Sequence, residues 1–232
     1  MNNLALSVAL ATAPSSAFAE LRERPRFWFP LLVVILSTVA LVYWYYSVVD
    51  IEWLKDLMFG NNPDIQKLPE EQRAQAISMY GRNTLLLGSV IGVVVVLPVV
   101  YALQALYLLL AAKVTGLQPG FKHWFAMSCW TGLPVLLSTV VSAILLLLSD
   151  TAQVSPSVMQ PFSLNELVFH RPLGSPGQTL LESLNIPSLL TWLLMIIGVH
   201  TWSQRSWAFS TLFILLPVVV IYGIWSILAF QA

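Results

Sequence analysis

The sequence predicts an all-α polytopic membrane protein, a bundle of five transmembrane helices with short interfacial helices. Three observations predict it. Of the 232 residues, 57% are hydrophobic and only 9% are charged, against roughly 25% charged in soluble domains. Mean hydropathy is +0.77. Several uncharged runs reach about 20 residues, the length that crosses the hydrocarbon of a bilayer.

Charge and cysteine content exclude other classes. Eleven Lys and Arg balance eleven Asp and Glu, so there is no basic footprint for nucleic acid. A single cysteine, Cys129, excludes an intrachain disulfide framework and a cysteine-based metal site.

Residues 1–26 read as a cytoplasmic N-terminal segment. Ala17-Phe18-Ala19 imitates a signal-peptidase site, but a secretory signal needs a positive start, and no Lys or Arg precedes Arg22. A frayed start then leads into a short amphipathic interfacial helix, from Ser15 or Ser16 to Arg24. Phe18 and Leu21 are expected to face lipid, and the arginines the headgroups.

Residues 27–230 hold the five spans, at 27–49, 84–112, 124–148, 187–203 and 207–230. Span one carries Pro30 in its first turn, where a missing N–H is harmless, and ends on the aromatic belt Tyr43-Trp44-Tyr45-Tyr46. Span two would run about 43 Å against a core of about 30 Å, so it must tilt, kink at Pro98 or project. Only Ser203-Gln204-Arg205-Ser206 separates spans four and five, which predicts a tight antiparallel hairpin.

Arg22, Arg24, Arg26, Lys113, Lys122 and Arg205 fall on one side of such a bundle, crowded into short segments. Lys55, Lys67, Arg73, Arg82 and Arg171 are spread over two long loops on the other. The positive-inside rule then places the N-terminus in the cytoplasm and the C-terminus outside. In the first outer loop, Pro69-Glu70-Glu71 marks a helix start. In the second, Ser163-x-x-Glu166 and Ser175-x-x-Gln178 are capping-box patterns, each opening a short interfacial helix.

Signatures of catalysis are missing: no Walker loop, His-Glu-x-x-His, Gly-x-Ser-x-Gly or CxxC occurs. Glu166 and His170, four apart, would share a helix face. Zinc would need a further ligand, and only His123 and His200 remain, both placed on the opposite side. No catalytic residue, cofactor or metal is expected. Gln104 is the deepest polar side chain; it reads as an interhelical hydrogen bond of about 1 kcal/mol, with a substrate contact as the second reading. Gly88 with Gly92, and Ser138 with Ser142, read as small-residue helix packing within the bundle, homo-oligomer contact being the alternative. Pro98, Pro134 and Pro217 read as helix kinks, which alone do not imply transport.

The stretch Phe18-Ala-Glu-Leu-Arg-Glu-Arg-Pro25-Arg-Phe-Trp28 is a proline-containing lead into span one. Leu68-Pro-Glu-Glu-Gln-Arg-Ala-Gln75 opens a loop helix, and Gly132-Leu-Pro134 interrupts span three. Leu180-Leu-Glu-Ser-Leu-Asn-Ile186 precedes Trp192 and Gly198 of span four. In order and spacing, from Phe18 to Phe230, these resemble the Yip-domain family of Rab-GTPase-interacting membrane proteins, in the form of its bacterial members. The resemblance implies a five-span bundle with a cytoplasmic N-terminus in a bacterial inner membrane, with no cofactor or catalytic residue. The Asp-Leu-Tyr-Gly-Pro motif of the eukaryotic trafficking members is absent, so GTPase binding is not carried over.

The expected function is a non-enzymatic adaptor or scaffold whose partners are the lipid bilayer and other membrane proteins. A small transporter or channel is the alternative, resting on the kinked spans and Gln104. A lipid-modifying enzyme rests only on Glu166 and His170.

Overall fold

Asn2 caps the first helix. Its side-chain oxygen accepts from the Ala5 amide at 2.7 Å, so α1 (Asn3–Thr12) starts on a satisfied donor. Pro14 opens α2 (Pro14–Glu23), having no N–H to leave unpaired. The helix stops just before Pro25, whose ring disfavours helical angles in the residue ahead of it. The structure, a computed structural model, describes residues 1–60, 65 and 67–231; residues 61–64 and 66 of the first long loop lie outside the described residues.

The N-terminal segment departs from the sequence expectation. Its start is a capped helix rather than a frayed end, and Phe18 and Leu21 are fully buried instead of facing lipid. A second apolar surface within the chain competes with lipid for that face. Gly198 has no side chain, so Phe18 reaches the helix backbone there, and the Trp202 indole N–H donates to the Phe18 carbonyl at 2.7 Å.

Next come α3 (Trp28–Val48), then α4 (Ile51–Phe59), which Asp50 caps by accepting from the Glu52 and Trp53 amides. An exposed α5 (Glu70–Ser78), with Glu70 and Glu71 in its first turn, leads to α6 (Arg82–Thr115). The 34 residues of α6 would extend about 51 Å. Arg82 closes the C-terminal end of α3, donating to the carbonyls of Tyr46 and of Val49, where a cation meets the negative end of the helix dipole. At the far end of α6, Gly116 takes φ 75° and the Leu117 amide returns to the Ala112 carbonyl at 2.8 Å, a left-handed stop that favours glycine.

The third span, α7 (Phe121–Leu147), breaks between Thr131 and Val135. After it, α8 (Gln178–Ser183), α9 (Ile186–Ser203) and α10 (Trp207–Gln231) complete the chain. Among the described residues no strand forms beyond an isolated bridge between Ser163 and Asn185. Five helices, α3, α6, α7, α9 and α10, are long and apolar enough to cross a membrane, so the all-α five-span architecture stands.

The turn between α9 and α10 is as short as expected, with Gln204 at φ 56°. The two helices nevertheless meet through large side chains rather than close backbones. His200 stacks on Trp207 at 3.9 Å, and Trp192 meets Tyr222 edge-on at 5.8 Å. The paired positions, 200 with 207 and 192 with 222, run antiparallel out from the turn.

The residues divide into two compact units. One holds Met1–Ile35, Val96–Val135 and Ile186–Trp225; the other holds Leu36–Val95, Leu136–Asn185 and Ser226–Ala232. In the first, Tyr101, Ala105, Leu108 and Ala112 of α6 are buried, as are Trp124, Met127 and Trp130 of α7. The 4-3-4 spacing and two alanines let α6 and α7 approach closely. The core of the second unit is Leu41, Tyr45, Val49, Leu54, Leu85 and Leu146, with the Tyr45 hydroxyl donating to the Val154 carbonyl at 2.8 Å.

Candidate functional site

A proline inside a helix withdraws the N–H that the carbonyl four residues earlier would receive. The surroundings of the three prolines differ. For Pro217 the orphan is Phe213, whose carbonyl accepts from the Tyr107 hydroxyl of α6 at 2.8 Å. At Pro134, α7 stops. The Val135 amide turns back to the Gly132 carbonyl at 3.2 Å, and the Thr131 carbonyl accepts from the Thr191 hydroxyl of α9 at 2.9 Å. Ahead of Pro98, residues Gly92–Val96 form a π turn that includes Val94, the carbonyl that Pro98 leaves without its donor. At two of the three prolines a hydroxyl from a neighbouring helix therefore bonds a nearby carbonyl, the usual way a membrane helix tolerates proline.

Pro217 borders a groove of about 330 Å³ among α6, α9 and α10. Its lining is aliphatic and aromatic, including Leu103, Trp192, Met195, Ile214 and Val218. Gln104 also lines it, donating from its amide nitrogen to the Met195 thioether at 3.1 Å. Gln104 therefore makes an interhelical bond, to a weak acceptor.

Among the small-residue positions, Ser138 and Ser142 lie on the buried face of α7 together with Leu146. The Ser142 hydroxyl has no partner among the described residues, so what it contributes is small volume. Gly88 and Gly92 are different. A Cβ built at either meets nothing within 4 Å, so the close helix approach expected inside the bundle does not occur at this pair. Within the membrane-spanning helices, the glycines with close side-chain neighbours are Gly132, against Tyr101, and Gly198, against Met127 and Phe18. Gly198 has no small residue four positions away on either side, whereas Gly132 follows Ser128 by four.

In the second long loop, Ser163 caps as its pattern predicts, accepting from the Glu166 amide at 3.1 Å. The turn it opens is the π segment Asn165–Phe169, which ends on His170 at φ 49°. That left-handed residue turns His170 away, so Glu166 and His170 do not share a helix face. Ser175 does not cap α8: its hydroxyl donates to the Pro172 carbonyl, and Gly177, at φ 77°, occupies the cap position. The apolar face of α8 is turned inward, with Leu180 and Leu181 buried, whereas Leu167, Val168 and Phe169 are exposed.

Glu166 instead borders a small cavity of about 190 Å³ whose lining includes Arg171, Gln178 and Glu182 as well as Trp53 and Leu57. Burial raises the Glu182 carboxyl above the ordinary range, the Gln178 amide at 2.5 Å lowers it, and Glu166 raises it again. His123 and His200 belong to the other unit. Among the described residues, no three side chains of metal-binding type come together.

A family model described as the Yip1 domain matches residues 8–228. No curated protein and no solved structure matches the chain significantly.

Proposed function

The chain belongs to the Yip1-domain family, and from that premise we propose that it is a non-enzymatic adaptor or scaffold for other proteins of its membrane. The observation that carries this reading is the lateral surface. Only 6% of the most apolar stretch of α6 and 11% of that of α10 are buried within the chain. Leu87, Val95 and Leu110 on α6, and Val219, Ile224 and Ile227 on α10, are all more than half exposed or close to it. Such faces suit lipid and partner helices alike. A conduit for ions or polar solutes would need polar groups through the hydrocarbon layer, and the groove among α6, α9 and α10 is nearly all apolar.

The proposed setting is a bacterial inner membrane, with residues 1–26 cytoplasmic and residues 27–230 as the membrane domain. Arg22, Arg24, Arg26, Lys113, Lys122 and Arg205 all fall in the first compact unit, and Lys55, Lys67, Arg73, Arg82 and Arg171 in the second. This supports the positive-inside orientation. On a Cys129→Ala background, Gln118→Cys should react with an impermeant thiol reagent only after permeabilisation. Labelling in intact cells reverses the orientation.

For the adaptor role, a photocrosslinker placed at Leu87 or Ile224 should trap a distinct second membrane protein. Purified protein in liposomes should conduct no ions above an empty-vesicle control. Robust flux that vanishes in Gln104→Leu, with no trapped partner, replaces the adaptor by a transporter.

A further inference from the structure

In the groove among α6, α9 and α10, one strong hydrogen-bonding group is left under-used. The Gln104 amide nitrogen donates to the Met195 thioether at 3.1 Å, and its carbonyl oxygen has no donor among the described residues. Of the other groups with a polar atom lining the groove among the described residues, the Tyr107 hydroxyl is engaged with the Phe213 carbonyl, and the Trp192 indole can only donate. A side-chain amide in hydrocarbon with a free acceptor and a spare N–H is costly until a partner arrives. The rest of the surrounding wall, including Leu103, Val218 and Ile221, is apolar apart from the Trp192 indole N–H. At about 330 Å³ the space lies at the lower end of the range of ligand pockets, about 300–1,000 Å³.

We propose that this groove binds a neutral, membrane-dissolved single-chain molecule, with its apolar chain along Leu103, Trp192 and Val218 and one hydroxyl or carbonyl oxygen on Gln104. Depth selects this occupant over an ordinary phospholipid. Gln104 lies 11 residues before Thr115, where α6 ends, which is about 16 Å along the helix. That is near the middle of a core of about 30 Å, whereas phospholipid ester oxygens sit at its edge. The wall selects for an apolar chain, and the amide selects an oxygen-bearing chain over a plain hydrocarbon. Because the Tyr107 hydroxyl ties α6 to the Phe213 carbonyl of α10, the groove is already shaped before anything binds, which limits the ordering that binding must impose. The site is independent of the adaptor reading: partner crosslinking can fail while the groove still binds, and the reverse.

The test uses two probes on the full chain in phospholipid nanodiscs: a hexadecanol bearing a diazirine, and the matching diazirine-bearing hexadecane. After irradiation, adducts are mapped by peptide mass spectrometry, with the outward-facing Leu110 as internal standard for general lipid contact. Groove peptides should carry about fivefold more alcohol than alkane adduct, the effect of one hydrogen bond. Gln104→Leu, which keeps the apolar contacts, should equalise the two probes. Val218→Trp, which fills the space, should lower both there and leave Leu110 unchanged. Equal labelling by the two probes in the unmodified protein overturns the proposal, as does an alcohol preference that survives Gln104→Leu.

Discussion

Trp202→Ala is expected to destabilise the protein by about 3–5 kcal/mol, the usual loss when a large buried aromatic is truncated. Trp202 is 3% exposed. Its ring lies 5.1 Å from that of Trp124 and meets Phe18 edge-on at 6.5 Å. It also joins α9 to α2 twice, through its indole N–H to the Phe18 carbonyl at 2.7 Å and through its own carbonyl, which accepts from Arg22 at 2.9 Å. Truncation opens a cavity between α2 and α9 beside the contact of Phe18 with Gly198. Trp202→Phe keeps much of the ring contact and loses the indole bond, so it should cost far less, about 1 kcal/mol from that bond plus the smaller ring. Thermal unfolding in mild detergent measures both, and limited proteolysis of residues 1–26 shows whether α1 and α2 are released. An unchanged unfolding temperature for Trp202→Ala would return α2 to the lipid surface on which the sequence alone places it.

That choice for α2 marks where the sequence stops being informative. The five spans are legible because a long uncharged run is a coarse property that tolerates error at both ends. The apolar face of α2 is legible too, in Phe18 and Leu21. What covers that face is not, because lipid tails and a membrane-protein core are equally apolar. The glycines repeat the problem at smaller scale. The spacing of Gly88 and Gly92 shows that one side of α6 is small but not which neighbour it faces, and it faces none within 4 Å. Alanines 105 and 112, with Tyr101 and Leu108 between and before them, form the close contact instead.

Prolines divide the same way. Sequence alone names Phe213 as the carbonyl that Pro217 orphans, yet the donor, Tyr107, lies 106 residues distant in the chain. In the second loop, Ser163 caps as its pattern says. Four-residue spacing misleads for Glu166 and His170 because it presumes an α-helix, and the segment is a π turn ending in left-handed backbone. Gln104 was visible as a polar residue deep in an apolar run; the emptiness beside it depends on how three helices meet.

Gly132→Ala is expected to cost about 1–3 kcal/mol, the range for an overpacked core. Glycine is not needed here for its backbone, since Gly132 has φ −76°, which any residue adopts. The constraint is space: a Cβ would run into the Tyr101 hydroxyl and lie 2.7 Å from Cζ of the same ring. Tyr101 cannot easily retreat, being 9% exposed and packed in a cluster with Leu31 and Cys129. The methyl would also push on the break in α7, where the Thr131 carbonyl depends on Thr191 for its hydrogen bond. A double-mutant cycle separates the contact from a general effect on the break. Tyr101→Leu removes the ring, so Gly132→Ala in that background should lose more than half of its cost, a coupling of the size seen for residues in direct contact. Both single variants and the double variant are compared by thermal unfolding in the same detergent. If Gly132→Ala costs the same in both backgrounds, the strain lies in the α7 break itself and Tyr101 is a bystander; if it costs nothing in either, α6 does not pack on Gly132 at all.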